Sequence, residues 1–482
     1  MITVPVILLV GVHSFGIPDV KSPSISSITN STTMDLQLSG KRTAANSITS
    51  TRKNKSITLH ASTPKSYEIS PLNKSKTTPL PFTKSSKSKN FHGELALLAE
   101  KYAVNKTLLI SVIDSAYINM ALNFWESSLV KFGITNYLFI CMNEKAKRLI
   151  PSEANECLVI NKNVNGVEAS PFGSRQFNKK VMIKTELSLI LMQMGYIVII
   201  SDVDIVFLHN PMPYLKCNDC DLIIQDNTRD NSEANSGFYL IKPTKSAMEL
   251  QQRSIERAKS TYDNDQNTMN WILSGMRKNQ RLKVIFLDYK KFLPGNVYFN
   301  PHDFANDYDC SECVMVHNNW IVGLRPKIYR FKEMGMWVVD KDGYYSSNSS
   351  KYLTYGNPSG SSRNQERAAL DLAFKIAHLL GRIVILPKFN CGRTNSKKCN
   401  LLRAFGPGYL LSLKENAYRE SEFLKHPKVP LSTRQSQLSY ISLKMFQNVS
   451  EVNKDQTDII KSLTANKTLM SHEILLFETL IL

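Results

Sequence analysis

The sequence predicts an α/β fold built on a parallel sheet, and three observations predict it. Predominantly apolar runs at Thr107–Ile113, Tyr137–Cys141 and 197–200 alternate with stretches of helical spacing, as a sheet with crossover helices requires. The run 197–200 is continuously apolar and β-branched, the pattern of a strand covered on both faces. The third run leads into Ser201-Asp202-Val203-Asp204, which places two acids at the carboxyl end of a buried strand, where open α/β sheets bind ligands.

Helical spacing of apolar residues begins near Glu94, over 95–103. The strand Thr107–Ile113 then leads to a helix over 117–132, which sets Met120, Leu122, Phe124, Leu129 and Val130 against Asn119, Asn123 and Glu126, and to the strand Tyr137–Cys141. A helix over 179–194 stops at Gly195, ahead of the acid-bearing strand, which His209-Asn210-Pro211-Met212-Pro213 ends. Short strands follow at 221–225, 238–241 and Val284–Leu287, with helices over 245–259 and 265–276 between them. These elements make one domain over about 94–340, then a polar, Ser- and Tyr-rich linker at 341–362. A smaller C-terminal α/β region at 363–482 opens with a helix over 363–380, Gly381 and the strand 383–386; beyond about 415 no motif is legible.

The net charge of +19 is uneven: residues 1–93 hold 12 Lys and Arg against 3 Asp and Glu. No zinc-finger spacing, aromatic RNA-binding signature or basic helix accompanies it, so a solvated basic tail is expected and nucleic-acid binding is not. Residues 1–20 contain an apolar run, Val4 to Val12, of signal-peptide length without a basic n-region; it reads as a cleaved signal or the remainder of a signal-anchor. Residues 21–93 read as a disordered stem, more than a third Ser and Thr over 21–90. Acceptor patterns for N-glycosylation stand at Asn30, Asn54, Asn73, Asn105, Asn348, Asn448 and Asn466. Together these point to the secretory pathway, with membrane attachment through the N-terminal segment. Eight cysteines include Cys217-x-x-Cys220 and Cys310-x-x-Cys313; the long gap between the pairs and an oxidising compartment favour disulfides over a zinc site, with the pairing left open.

On a strand, residues i and i+2 share a face, so Asp202 and Asp204 can converge on one ligand, and a divalent cation relieves their repulsion. The alternative, a turn acid beside a cap, is weakened by the buried strand before them. Asn235-Ser236-Gly237 reads as a small turn before a strand that lets backbone approach a ligand closely. Asp265 and Gln266 offer an acceptor-only carboxylate and a two-way amide, or Asp265 caps the helix it begins.

Over 107–335 the chain resembles glycosyltransferase family 77, the nucleotide-diphospho-sugar transferases that include plant arabinosyl- and xylosyltransferases and galactosyltransferases of other eukaryotes. The residues that carry the resemblance are Lys184-Thr185-Glu186-Leu187, the run from Gly195 to Asp204, Asn235-Ser236-Gly237-Phe238, Asp263-Asn264-Asp265-Gln266 and Val316-His317-Asn318-Asn319-Trp320, in this order. The resemblance implies the Rossmann-like type A glycosyltransferase fold and a retaining, metal-dependent transfer in the Golgi lumen from a nucleotide-sugar, a UDP-sugar first, to a glycan or glycoprotein. Mn²⁺ or Mg²⁺ would be held by Asp202, Asp204 and His317. Lys184 and Lys327 would meet the diphosphate, with Asp202 on the ribose or the metal and Gly237 against the donor. Asn235, Asp265 and Gln266 would face the reacting sugars, with Asp265 the nucleophile if one is used. The region after 363 loosely resembles a segment that follows the catalytic domain in some plant members. Two other readings compete: a haloacid-dehalogenase-type phosphatase with Asp202 as nucleophile, for which the downstream residues are missing, and a lumenal carbohydrate-binding protein that has lost catalysis.

Overall fold

The computed structural model describes residues 86–160, 170–299, 310–357, 360–391, 398–436, 439–441, 471 and 474–477. The leader and most of the stem lie outside the described residues; the last part of the expected stem belongs to the helix Ser86–Tyr102.

The main sheet has the order β3-β2-β1-β4-β7-β6-β8, from β1 (Thr107–Ile113), β2 (Tyr137–Cys141), β3 (Cys157–Val159), β4 (Ile197–Ser201), β6 (Leu222–Asp226), β7 (Ala234–Ile241) and β8 (Val284–Leu287). β5 (Ile205–Phe207) leaves it for a second, three-stranded sheet with β9 (Phe292–Leu293) and β10 (Met315–His317). The main sheet is mixed, not purely parallel: β7 runs antiparallel to β4 and β6, while β2, β1 and β4 are mutually parallel. Both faces are covered, so β2, β6 and β7 are buried along their whole length, β2 as its apolar run anticipates and β6 and β7 with Gln225, Asp226, Asn235 and Ser236 buried as well.

The helix Arg175–Gln193 starts at Ser174, whose side chain accepts from the Phe177 N–H, and ends at Gly195 with φ of 86°, a left-handed turn that glycine adopts without strain. The helix expected over 117–132 is a helix at Ile118–Phe124 that widens into a π turn at Trp125–Val130. There the buried Ser128 hydroxyl accepts from the Phe207 N–H, so the irregular turn ties this helix to β5.

The stretch read as a linker is not one throughout. Tyr352–Tyr355 forms β11, a buried strand of a second parallel sheet of order β15-β12-β11-β17-β16, with β12 (Ile383–Ile385), β15 (Tyr418–Arg419), β16 (Ser439–Ile441) and β17 (Ile474–Phe477). β13 (Phe389–Asn390) and β14 (Lys398–Cys399) form a small hairpin beside it. The helix Arg363–Leu379 opens with a capping box between Ser362 and Gln365. All eight cysteines are paired, as Cys141–Cys157, Cys217–Cys220, Cys310–Cys313 and Cys391–Cys399, in line with the disulfide reading. Among the described residues no helix is long and apolar enough to cross a membrane.

Candidate active site

The strand order reverses between β1 and β4: β2 and β3 extend the sheet on one side of β1, and β4 lies on the other. A crevice outside the carboxyl ends of two such strands is where α/β sheets receive ligands. Here a cavity of about 1130 Å³ opens at that place, lined by Tyr117 beyond β1, by Asp202 and Asp204 beyond β4, and by Asn235 to Gly237 on β7.

The two acids do not share a strand face as expected. β4 stops at Ser201 and β5 starts at Ile205, so Asp202 and Asp204 occupy the link between two sheets. Convergence comes instead from the second sheet. His317 pairs with Ile205 in register, and the Asn318 N–H donates to the Asp204 carbonyl at 2.8 Å. The outcome is a trio, Asp202, Asp204 and His317, whose ligand atoms all lie within 4.8 Å of one another.

Cations flank the trio. Lys184 donates to Asp202 at 2.8 Å and forms an ion pair with Asp265 Oδ2 at 3.0 Å. Burial acts to lower the Lys184 ammonium, but the Asp202 and Asp265 carboxylates outweigh it and raise the group above the ordinary lysine value. Lys327 binds Asp204 and is raised in the same way. Burial pushes the Asp204 carboxyl up, yet Lys327 and His317 prevail and hold it well below the usual carboxylate range. The charged carboxylate is thus the resting form of Asp204, the form a metal ligand needs.

Two residues shape the trio without charge. A Cβ on Gly237 would collide with His317 Cε1 and lie 2.8 Å from Asp202 Oδ2, so only glycine fits against this cradle. Gln225, fully buried, donates through Nε2 to the Phe292 carbonyl at 3.2 Å, which leaves its Oε1 to face His317 Nδ1 at 3.0 Å. An amide oxygen only accepts, so Nδ1 carries a proton and Nε2, 3.4 Å from Asp204 Oδ1, is the ring nitrogen that faces the trio. Two carboxylates and an imidazole nitrogen, closely spaced and held by second partners, fit a divalent cation.

The remaining expected residues fall around the same cavity. Asn235-Ser236-Gly237 is not a turn before a strand but part of β7, buried, with Asn235 Oδ1 accepting from the Gly237 N–H at 2.8 Å. Gly237 lies close against His317 and Asp202. Asp265 is not the cap of its helix: Asn264 is, through the Asn267 N–H, which leaves Asp265 buried at the first helical position against Lys184. Gln266 donates to Glu233 at 2.6 Å. Residues not anticipated also line the cavity, among them Tyr117, Asn227, Trp320 and, from the C-terminal region, Lys388, Lys398 and Arg403. Gln225 and Tyr117 could not have been singled out, because a polar residue at the end of an apolar strand or the start of a helix is ordinary.

Residues 133–331 match the nucleotide-diphospho-sugar transferase family, a span that contains both acids, His317 and Lys327. The chain carries a nucleotide-diphospho-sugar transferase domain. The transferase domain is 24% identical over 274 residues to the β-arabinofuranosyltransferase RAY1 of Arabidopsis thaliana, covering 51% of this chain and 50% of that protein. It is 24% identical over 262 residues to the UDP-D-xylose:L-fucose α-1,3-D-xylosyltransferase MGP4 of the same plant, covering 49% and 72%. A UDP-galactose:fucoside α-3-galactosyltransferase of Dictyostelium discoideum is 26% identical, covering 38% of this chain and 31% of that protein. The chain thus spans about half the length of the first of these relatives. Among solved structures, the galactosyltransferase LgtC with donor and acceptor sugar analogues is similar at 15% identity and a TM-score of 0.31, covering 44% of this chain and 86% of that one. The resemblance to family 77 read from the motifs is borne out, and so is the mixed α/β nucleotide-sugar transferase architecture.

Proposed function

We propose that the protein is a metal-dependent, retaining glycosyltransferase that moves a sugar from a UDP-sugar to a glycan or glycoprotein in the secretory pathway. The observation that carries this reading is the Asp202–Asp204–His317 trio on the floor of a large cavity at the switch between β1 and β4. Relatives whose names specify UDP-xylose and UDP-galactose donors support a UDP-sugar, and four disulfides support an oxidising compartment.

Asp204 and His317 would hold the metal, with Asp202 beside them, and Mn²⁺ would suit this mixture of carboxylates and imidazole. When bound, the ion supplies positive charge where the departing diphosphate gains negative charge. Lys184 and Lys327, now paired with acids, stand where that diphosphate must lie and add to the same stabilisation. Gly237 leaves room for the donor sugar. Gln266 and Asn235 offer amides to sugar hydroxyls, and Asp265 is positioned by Lys184 beside them. Retention then requires no separate protein base when the leaving phosphate oxygen takes the acceptor proton on the same face of the sugar.

A donor screen tests the reading: UDP release from UDP-xylose, UDP-arabinofuranose and UDP-galactose, with Mn²⁺ and with EDTA, in the parent protein and Asp204→Ala. Metal-dependent release lost in the variant is expected. Release that is independent of metal, or unchanged in Asp204→Ala, contradicts it, and binding of nucleotide without any turnover returns the non-catalytic alternative.

A further inference from the structure

We propose that Trp320 is the platform on which a sugar ring of the acceptor glycan stacks, an inference that rests on the transferase reading and names its acceptor subsite. Trp320 lines the cavity three residues after His317, yet 54% of it is exposed, whereas His317 is 3% exposed. Its backbone φ is 57°, a left-handed conformation that is a true outlier for a bulky residue. Such a conformation persists only where the surroundings impose it, and they do. The preceding residue, Asn319, is clamped: its Oδ1 accepts from the Gly295 N–H at 2.5 Å and its carbonyl from Arg330 at 3.1 Å. A Cβ on Gly295 would collide with the Asn319 carbonyl, so that glycine is what permits the clamp. The fold therefore holds an indole at the rim of the cavity when burying it would remove apolar surface from water.

The rim is the acceptor's side. The groups that answer a diphosphate, Lys184, Lys327 and the trio, are on the floor and largely buried. Around the rim Phe172 at 63% and Val322 at 61% exposure add apolar surface to that of Trp320, while Asn267, Lys388, Lys398 and Arg403 supply exposed polar and cationic groups. An indole offers a flat apolar face with a polar edge, which matches the C–H face of a sugar ring and leaves the hydroxyls in water. The acceptor that this surface takes is a glycan end that presents a sugar ring's C–H face.

Saturation-transfer NMR on the full chain loaded with UDP and Mn²⁺ tests this, with the methyl glycosides of fucose, galactose, xylose and arabinose as probes. In the parent at least one glycoside receives saturation through its ring protons. In Trp320→Ala its affinity falls roughly tenfold, Trp320→Phe restores most of it, and UDP affinity, read by calorimetry, changes by less than about twofold. Thermal unfolding of each variant controls for folding. Equal glycoside affinity in Trp320→Ala, no glycoside bound by a parent that binds UDP, or a parallel loss of UDP affinity each overturns the platform. A parent that binds no UDP with Mn²⁺ instead overturns the transferase reading on which it rests.

Discussion

Two uncharged residues, Gly237 and Gln225, fix His317 in its place. For Gly237→Ala the new methyl has no space beside His317 Cε1, so Mn²⁺ affinity should fall and stability drop by about 1–3 kcal/mol, as overpacking does; electron paramagnetic resonance titration and thermal unfolding read the two effects. Gln225→Leu should lower Mn²⁺ affinity about 10–100-fold by freeing the imidazole tautomer, and Gln225→Glu, which keeps an acceptor at Nδ1, should retain most of it. A merely structural role would leave the two variants alike. The trio itself was legible, because acids after an apolar run and a histidine within a recognisable block stand out. Gln225 was not, since nothing in Asp221-Leu222-Ile223-Ile224-Gln225 says which partner its amide meets 92 residues away.

The helix Leu324–Glu333 joins the site to the rest of the protein. Lys327 reaches Asp204, Arg330 the Asn319 carbonyl, and buried Glu333 receives Lys388 and Ser421 from the C-terminal region. On the same helix Lys332 lies over the Tyr344 ring, where burial, with Arg419 nearby, lowers its ammonium from 10.5 to about 8. Between these values the unfolded chain holds a proton that the folded one has released, so stability should rise with pH from about 8 to 10.5. Lys332→Met should remove that rise and stabilise the protein at neutral pH by on the order of 2 kcal/mol, measured by denaturant unfolding across pH. At this scale most strands and helices were legible from their apolar spacing. The break between β4 and β5 was not, because an apolar run on both sides of Asp202 and Asp204 reads as one strand when the chain changes sheets within it. Tyr352–Tyr355 was lost for the converse reason, being a four-residue strand inside a Ser-rich stretch.

One hydrophobic cluster joins the described residues of the transferase domain to the C-terminal region, which also has a core of its own around Leu370, Val384 and Leu410. Phe331, Met336 and Trp337 cluster with Tyr345, Tyr352, Phe423 and Ile474 and with β1 and β2. A chain ending at residue 340 would expose this surface, so it should aggregate or elute with expanded volume in size-exclusion chromatography, whereas a chain beginning at residue 86 should remain compact. The cavity follows the same plan, since Lys388, Lys398 and Arg403 from beyond residue 380 line it together with the trio. Calorimetric titration of UDP into the protein, with and without Mn²⁺ and beside His317→Ala, tests the central claim most directly. The account predicts tight binding only with Mn²⁺, lost in His317→Ala; UDP bound equally well without metal, or unaffected by loss of His317, would contradict it.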